Sequence, residues 1–294
     1  MAATMELGAV FPQNEIGNDS VAVKDYAQAA EQLGFTHLVI YDHVLGADRD
    51  RPGGFSGPYD KDTPFHEPFV TFGYLAAHTS TIQFVTCVII LPQRQTALAA
   101  KQAAQVDLLS GGRLTLGIGT GWNAIEYEAL NENFHNRGKR QEEQVALMRE
   151  LWTKDVIDFE GHWHRVNKAG INPRPARPIP IWFGGSHAAV LERAARIGDG
   201  WMPVMPPNDD AKQAMETLRG HLTENGKDPA QFGVQAQAQI RGGNPDLWQT
   251  HAETWREMGA THLAIATMGA GLESPQDHID AIRSYKEALG SNLG

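Results

Sequence analysis

Two adjacent polar residues, Asp42 and His43, directly follow an apolar run, His37–Tyr41. A histidine changes charge near neutral pH and can donate, accept or carry a proton. At a ligand site the pair would contact a cofactor oxygen or shuttle a proton. The competing reading is a helix cap by Asp42, with His43 bonded only to backbone. A second stretch, Arg113 to Asn123, opens with the strand-like Leu114–Ile118 and breaks into glycines at Gly117, Gly119 and Gly121 before Trp122. Glycines at a strand end let the backbone turn sharply or approach a flat ligand. Gly119-Thr120-Gly121-Trp122 therefore either lines a flat ring or plugs a barrel mouth with the indole. A third segment, Gly184-Gly185-Ser186-His187, leads into a helix. Free N–H groups at a helix start, with a hydroxyl beside them, cradle phosphate. A tight turn with a serine cap is the plainer alternative.

Arg94 could meet an anionic group or fix its loop through an ion pair. Cys87, the sole cysteine, sits in a Val/Ile run and reads as a small buried hydrophobe rather than a nucleophile. His162 and His164 alternate on a short hairpin but lack a third ligand, so no metal site is expected. HExxH, GxSxG and Walker A patterns are missing from the sequence. A formal net charge of -10 argues against nucleic acid and anionic membranes as partners. One cysteine suits a reducing compartment, and the longest apolar runs, such as Val85 to Leu91, fall short of a membrane span. Met1 to Gly8 has no signal-peptide pattern, so a cytoplasmic location is expected.

The elements that must position these residues alternate. Strands are expected at Leu7–Phe11, His37–Tyr41, Ile82–Leu91, Leu114–Ile118, Ile181–Phe183, Gly200–Met202, Phe232–Ile240 and His262–Ala266, each followed by a helix. Eight such units over residues 1–294 point to one domain, a (β/α)8 TIM barrel with insertions. A doubly wound sheet fits less well, because no GxGxxG follows the first strand. Gly46 to Pro68 is too long for an ordinary connection and reads as a functional excursion or lid. A loop, Asn123 to Asn136, then a helix from Arg137 and a hairpin turned at Glu160-Gly161 form a second insertion. Gln235, Gln237 and Gln239 alternate with apolar residues. They face either a wet barrel interior or a weakly packed exterior.

Several segments in this order resemble the bacterial luciferase-like superfamily, most closely its coenzyme F420-dependent oxidoreductases. They are Tyr41-Asp42-His43, Leu91-Pro92-Gln93-Arg94, Gly117-Ile118-Gly119-Thr120-Gly121-Trp122 with Glu126-Tyr127, Ile181-Trp182-Phe183-Gly184-Gly185, and Ala194 to Trp201. The resemblance covers nearly the whole chain. It implies a homodimeric TIM barrel with a deazaflavin or flavin ring at the C-terminal mouth. It places His43 near the ring in cofactor contact or proton transfer, with Asp42 beside it. It implies a non-proline cis peptide around Thr86-Cys87-Val88, so that Cys87 and Val88 back the ring. Gly184, Gly185, Ser186 and His187 then hold the cofactor phosphate. One departure stands out. Some deazaflavin-dependent sugar-phosphate dehydrogenases carry a glutamate where this chain has Trp122, which puts a sugar substrate in doubt. Glu126 is expected to lie a helical turn too far away to replace it.

The expected activity is hydride transfer between coenzyme F420 and a small organic substrate. The first alternative is an FMNH2-dependent monooxygenase using O2, served by a separate flavin or F420 reductase. The second is a flavin-binding barrel without turnover.

Overall fold

The computed structural model describes residues 5–290; residues 1–4, part of the stretch used for the signal-peptide expectation, and 291–294 lie outside the described residues. In chain order the elements are β1 (Glu6–Val10), α1 (Ser20–Gln32), β2 (His37–Ile40), α2 (Pro68–Ala76), β3 (Gln83–Thr86), β4 (Ile89–Ile90) and α3 (Thr96–Leu109). Then come β5 (Leu114–Gly119), α4 (Ala124–Ala129), α5 (Arg137–Thr153) and the antiparallel hairpin β6 (Ile157–Glu160) and β7 (Arg165–Ala169). The rest is β8 (Ile181–Gly184), α6 (Ala188–Ile197), β9 (Gly200–Met202), α7 (Asp209–Glu224), β10 (Gly233–Gln239), α8 (Pro245–Met258), β11 (His262–Ala266) and α9 (Pro275–Leu289).

The sheet runs β3-β2-β1-β11-β10-β9-β8-β5-β4, and β3 also pairs with β5, so it closes on itself. Every barrel pairing is parallel. The result is a (β/α)8 barrel in which β3 and β4 together make the third strand. Local chemistry sets the element ends. Asp19 caps α1 by accepting from Val21 N at 2.9 Å. Ser274 and Asp277 cap α9 reciprocally. Gly34, at φ +79°, lets the chain leave α1. No helix among the described residues is long and apolar enough to cross a membrane.

Two expectations need correction. The segment Asn123 to Asn136 is not all loop, because Asn123 accepts from Ile125 N at 3.2 Å and starts α4. The single strand expected from Ile82 to Leu91 is two pieces. The ladder breaks at Cys87–Val88, where the peptide is cis as the resemblance implied.

Side chains sort by strand parity. Val234, Ala236 and Ala238 pack in the main core between sheet and helices. Gln235 and Gln237 point the other way. Gln235 is 1% exposed, and Gln237 receives the Tyr41 hydroxyl at 3.0 Å. The glutamine stripe therefore faces the barrel interior. Its apolar neighbours there are Val10, Val39, Val85, Trp182, Met202 and Ala266. At the N-terminal end of the interior, burial pushes the pKa of His37 down to about 3, so this ring stays neutral.

Val88 sits just past the break in the third strand. A Cβ on Gly119 would overlap its Cγ2, and a Cβ on Gly184 would overlap its Cγ1. The two glycines, at the ends of β5 and β8, thus make room for one valine. Overpacking such a spot costs about 1–3 kcal/mol. Gly184→Ala is expected to lose stability in that range, and Val88→Ala to recover part of the loss in the double variant. Urea unfolding of the four proteins measures this; strictly additive losses would show that the valine is not wedged.

Candidate active site

The C-terminal ends of the strands bring together residues far apart in sequence. His43 follows β2, and Glu126 lies in the first turn of α4. His43 Nδ1 stands 3.1 Å from Glu126 Oε1. Glu126 is 1% exposed. Its Oε1 also accepts from Val44 N at 2.9 Å, and its Oε2 accepts from Gln93 Nε2 at 3.1 Å. Burial alone would raise the Glu126 pKa. The His43 hydrogen bond and charge, then the Gln93 and Val44 donors, outweigh it and hold the carboxyl below its ordinary 4.5. An ionised carboxylate only accepts, so Nδ1 carries the shared proton, and Nε2 is the ring nitrogen left to exchange a proton with a ligand. Glu126 was expected to lie a helical turn too far away to take the place of a glutamate at Trp122; its carboxylate is engaged by the His43 ring and the Val44 N–H. The short Trp122-Asn123 link brings the first turn of α4 within reach of the residues that follow β2.

Asp42 faces a different task. It is 4% exposed and pairs with Arg94, Oδ1 to Nη2 at 2.7 Å, while its Oδ2 accepts from Ile90 N at 2.9 Å. Arg94 also reaches Glu67 at 3.1 Å. The Arg94 guanidinium thus fixes its loop, one of the two roles its sequence allowed, and Asp42 is the anchor rather than a helix cap.

Around His43 the aromatic rings of Tyr59, Phe65 and Trp122 lie at centroid distances of 5.0, 4.7 and 5.6 Å. Tyr59 and Phe65 come from the excursion between β2 and α2, which also stacks Phe55 on Trp122 at 6.2 Å. Trp122 itself is 44% exposed, so it roofs the site instead of plugging the barrel.

The floor is built from Cys87, Val88, Tyr41 and Gln237. Gln237 Nε2 approaches Cys87 Sγ at 3.3 Å, and burial pushes the thiol pKa up to about 12. It is a neutral hydrophobe and not a nucleophile. Gly119 and Gly184, expected at the cofactor, are needed to seat Val88; at Gly121, φ +64°, an added Cβ would crowd Ile90. The Thr120 carbonyl is taken by the Tyr127 hydroxyl at 2.7 Å.

Beyond β8, Gly185 adopts φ +122°. The plainer alternative for Ser186 was a cap of α6, but His187 holds that position, its Nδ1 accepting from Ala189 N at 3.3 Å. Ser186 Oγ instead accepts from Val204 N at 3.1 Å and keeps its own proton to donate. The backbone N–H groups of Ser186 and His187 meet no acceptor among the described residues. An anion could take all three donors. His164 is engaged by Glu143 and Thr96, both at 2.7 Å, and no cluster of three His, Cys, Asp or Glu among the described residues is placed to hold a metal.

The sequence pattern of the luciferase-like monooxygenases matches residues 8–292. The chain belongs to that family. Its relatives include an F420-dependent hydroxymycolic acid dehydrogenase of Mycobacterium tuberculosis, 30% identical over 261 residues, which are 86% of this chain and 68% of that protein. An FMNH2-dependent dimethylsulfone monooxygenase of Pseudomonas putida is 29% identical over 215 residues, 71% of this chain and 55% of that one. Among solved structures, an F420-dependent secondary alcohol dehydrogenase in complex with an F420-acetone adduct superposes with TM-score 0.79 over 98% of this chain and 100% of that one. At 17% identity that likeness is one of fold.

Within this luciferase-like chain, Glu126, Gln93 and Gln237 were not among the expected site residues. One signal for Glu126 was present, since Asn123 is a good N-cap and puts Glu126 in a first turn right beside the end of β5. The depressed Glu126 pKa has a stability consequence. Its stabilisation is complete above the unfolded value near 4.5 and is lost as pH falls through the lower folded value. Glu126→Gln is expected to be less stable at pH 7 by about 1–3 kcal/mol, and the gap should narrow below pH 4.5. Urea midpoints measured against pH check this; a gap independent of pH would mean the charge contributes nothing.

Proposed function

We infer that this chain is an oxidoreductase that passes a hydride between coenzyme F420 and a small organic substrate, with His43 managing the accompanying proton. The observation that carries this reading is the His43–Glu126 pair at the barrel mouth. The residues fit the cofactor. Val88, Cys87 and the interior valines give an apolar floor for a flat ring. The Ser186 and His187 N–H groups with the Ser186 hydroxyl suit a phosphate. Gln93 Oε1, buried and unpartnered among the described residues, is a free acceptor beside the pair. When bound, F420 supplies two-electron hydride chemistry; reduced FMN, the alternative, supplies oxygen activation.

The chain's own residues then do three things. His43 Nε2 takes the hydroxyl proton of an alcohol as it is oxidised, or returns one to a carbonyl as it is reduced. Glu126 fixes the imidazole tautomer and stabilises the charge that the ring gains, at a site where burial strengthens the interaction. Tyr59, Phe65 and Trp122 keep water from the ring face they cover. Asp42 acts through Arg94, as a positioning residue. We further infer a homodimer, supported by exposed Val70 and Tyr74 on α2 and Leu98 and Leu109 on α3.

Titration of apo-protein with F420 and separately with FMN tests the cofactor. F420 is expected to bind more tightly, and Ser186→Ala to weaken it; tight FMN binding alone would transfer the chain to the monooxygenases with a partner reductase. His43→Asn keeps a donor toward Glu126 and removes the base. It is expected to lower turnover of a substrate found by screening alcohols and aldehydes by roughly 10²-fold or more, with F420 binding retained. Unchanged turnover would remove His43 from proton transfer.

A further inference from the structure

Beside the mouth, past the ends of β9 and β10, lies a second cavity of about 400 Å3. Gln237 lines it and also floors the mouth through Tyr41 and Cys87, so the two spaces adjoin. One cation lines it, Arg241, which makes no ion pair or hydrogen bond among the described residues. That contrasts with Arg94, Arg140, Arg177 and Arg193, each engaged by a carboxylate. Gln237, Gln239 and His251 add polar groups to the wall, and the remainder is mostly apolar. Val204 is 75% exposed and Leu247 38%, with Met205 and Trp248 beside them. Pro203, Pro206 and Pro207 stiffen the wall and donate nothing. Exposed apolar groups gathered around a lone guanidinium match a ligand with a hydrocarbon body and one anionic end.

We propose that this cavity is the substrate subsite and that the substrate is an organic acid, its carboxylate on Arg241 and its aliphatic part against Met205, Leu247 and Trp248. This rests on the reading that the barrel mouth is the reaction site. Ser186 fixes the Val204 N–H, so the phosphate cradle and this subsite share a wall but present different donors.

The test uses the full chain without cofactor and titrates it calorimetrically with butyrate, hexanoate and octanoate, and with 1-hexanol. Affinity is expected to rise with chain length, and hexanoate to bind more tightly than hexanol. Arg241→Met is expected to weaken hexanoate by about tenfold or more while leaving hexanol unchanged. Equal binding of acid and alcohol, or hexanoate binding undiminished in Arg241→Met, would overturn the proposal. The same variant is titrated with F420. Unchanged F420 affinity supports a substrate role; weakened F420 affinity would assign the arginine to the cofactor's anionic tail and overturn it. Arg241-dependent hexanoate binding in a protein that binds no F420 would support the subsite and reject only the cofactor.

Discussion

One buried carboxylate ties the site together. Glu126 receives the His43 ring, the Val44 N–H and the Gln93 amide, and so joins the ends of the second and third barrel strands to the first turn of α4. A carboxylate sealed from water needs such donors, because each missing one leaves a desolvated charge. Its demand for partners therefore fixes three backbone segments as firmly as it fixes the histidine tautomer. The same group that prepares the chemistry also holds the loops that carry it, and a change there is felt as altered reactivity and altered packing at once.

A second ionic knot lies alongside. Arg94 spans the buried Asp42 and the more exposed Glu67, and the two carboxylates hold its guanidinium from both sides. Desolvation lowers the Arg94 pKa, but the charges and hydrogen bonds of Asp42 and Glu67 raise it further. Gln13 adds a backbone-like clasp on Tyr41, donating to its carbonyl at 3.1 Å and accepting from its N–H at 2.8 Å. Preorganisation here is thus a property of side chains that imitate a sheet ladder where the ladder has ended.

Much of the fold was legible because it follows from local rules. Gly34, Gly259 and Pro245 punctuate helices, and β-branched runs mark strands. The site was legible only in part. His43 stood out because a histidine after an apolar run is conspicuous. Glu126 did not, since its partner is 83 residues away and α4 is a six-residue helix too short to show a period. Asp42 was singled out for chemistry, yet its immediate partner is Arg94, 52 residues on. The glycines of the β5 and β8 ends were read as places for a ligand. Their need is set by Val88, which no spacing between those strands could reveal.

The excursion between β2 and α2 has both ends nailed down, one through Asp42 and Arg94, the other through Glu67, which also caps α2 by accepting from Val70 N at 2.8 Å. Its middle is cross-braced by the Arg49–Asp60 pair and the Ala47–Asp60 bridge. A loop whose feet are fixed can be rewritten between them without disturbing what it stands on, because closure entropy changes only slowly with length. Residues 46–66 can therefore take a different Phe55, Tyr59 or Phe65, the rings that lie against Trp122 and His43, while the anchors at Asp42, Arg94 and Glu67 stay as they are.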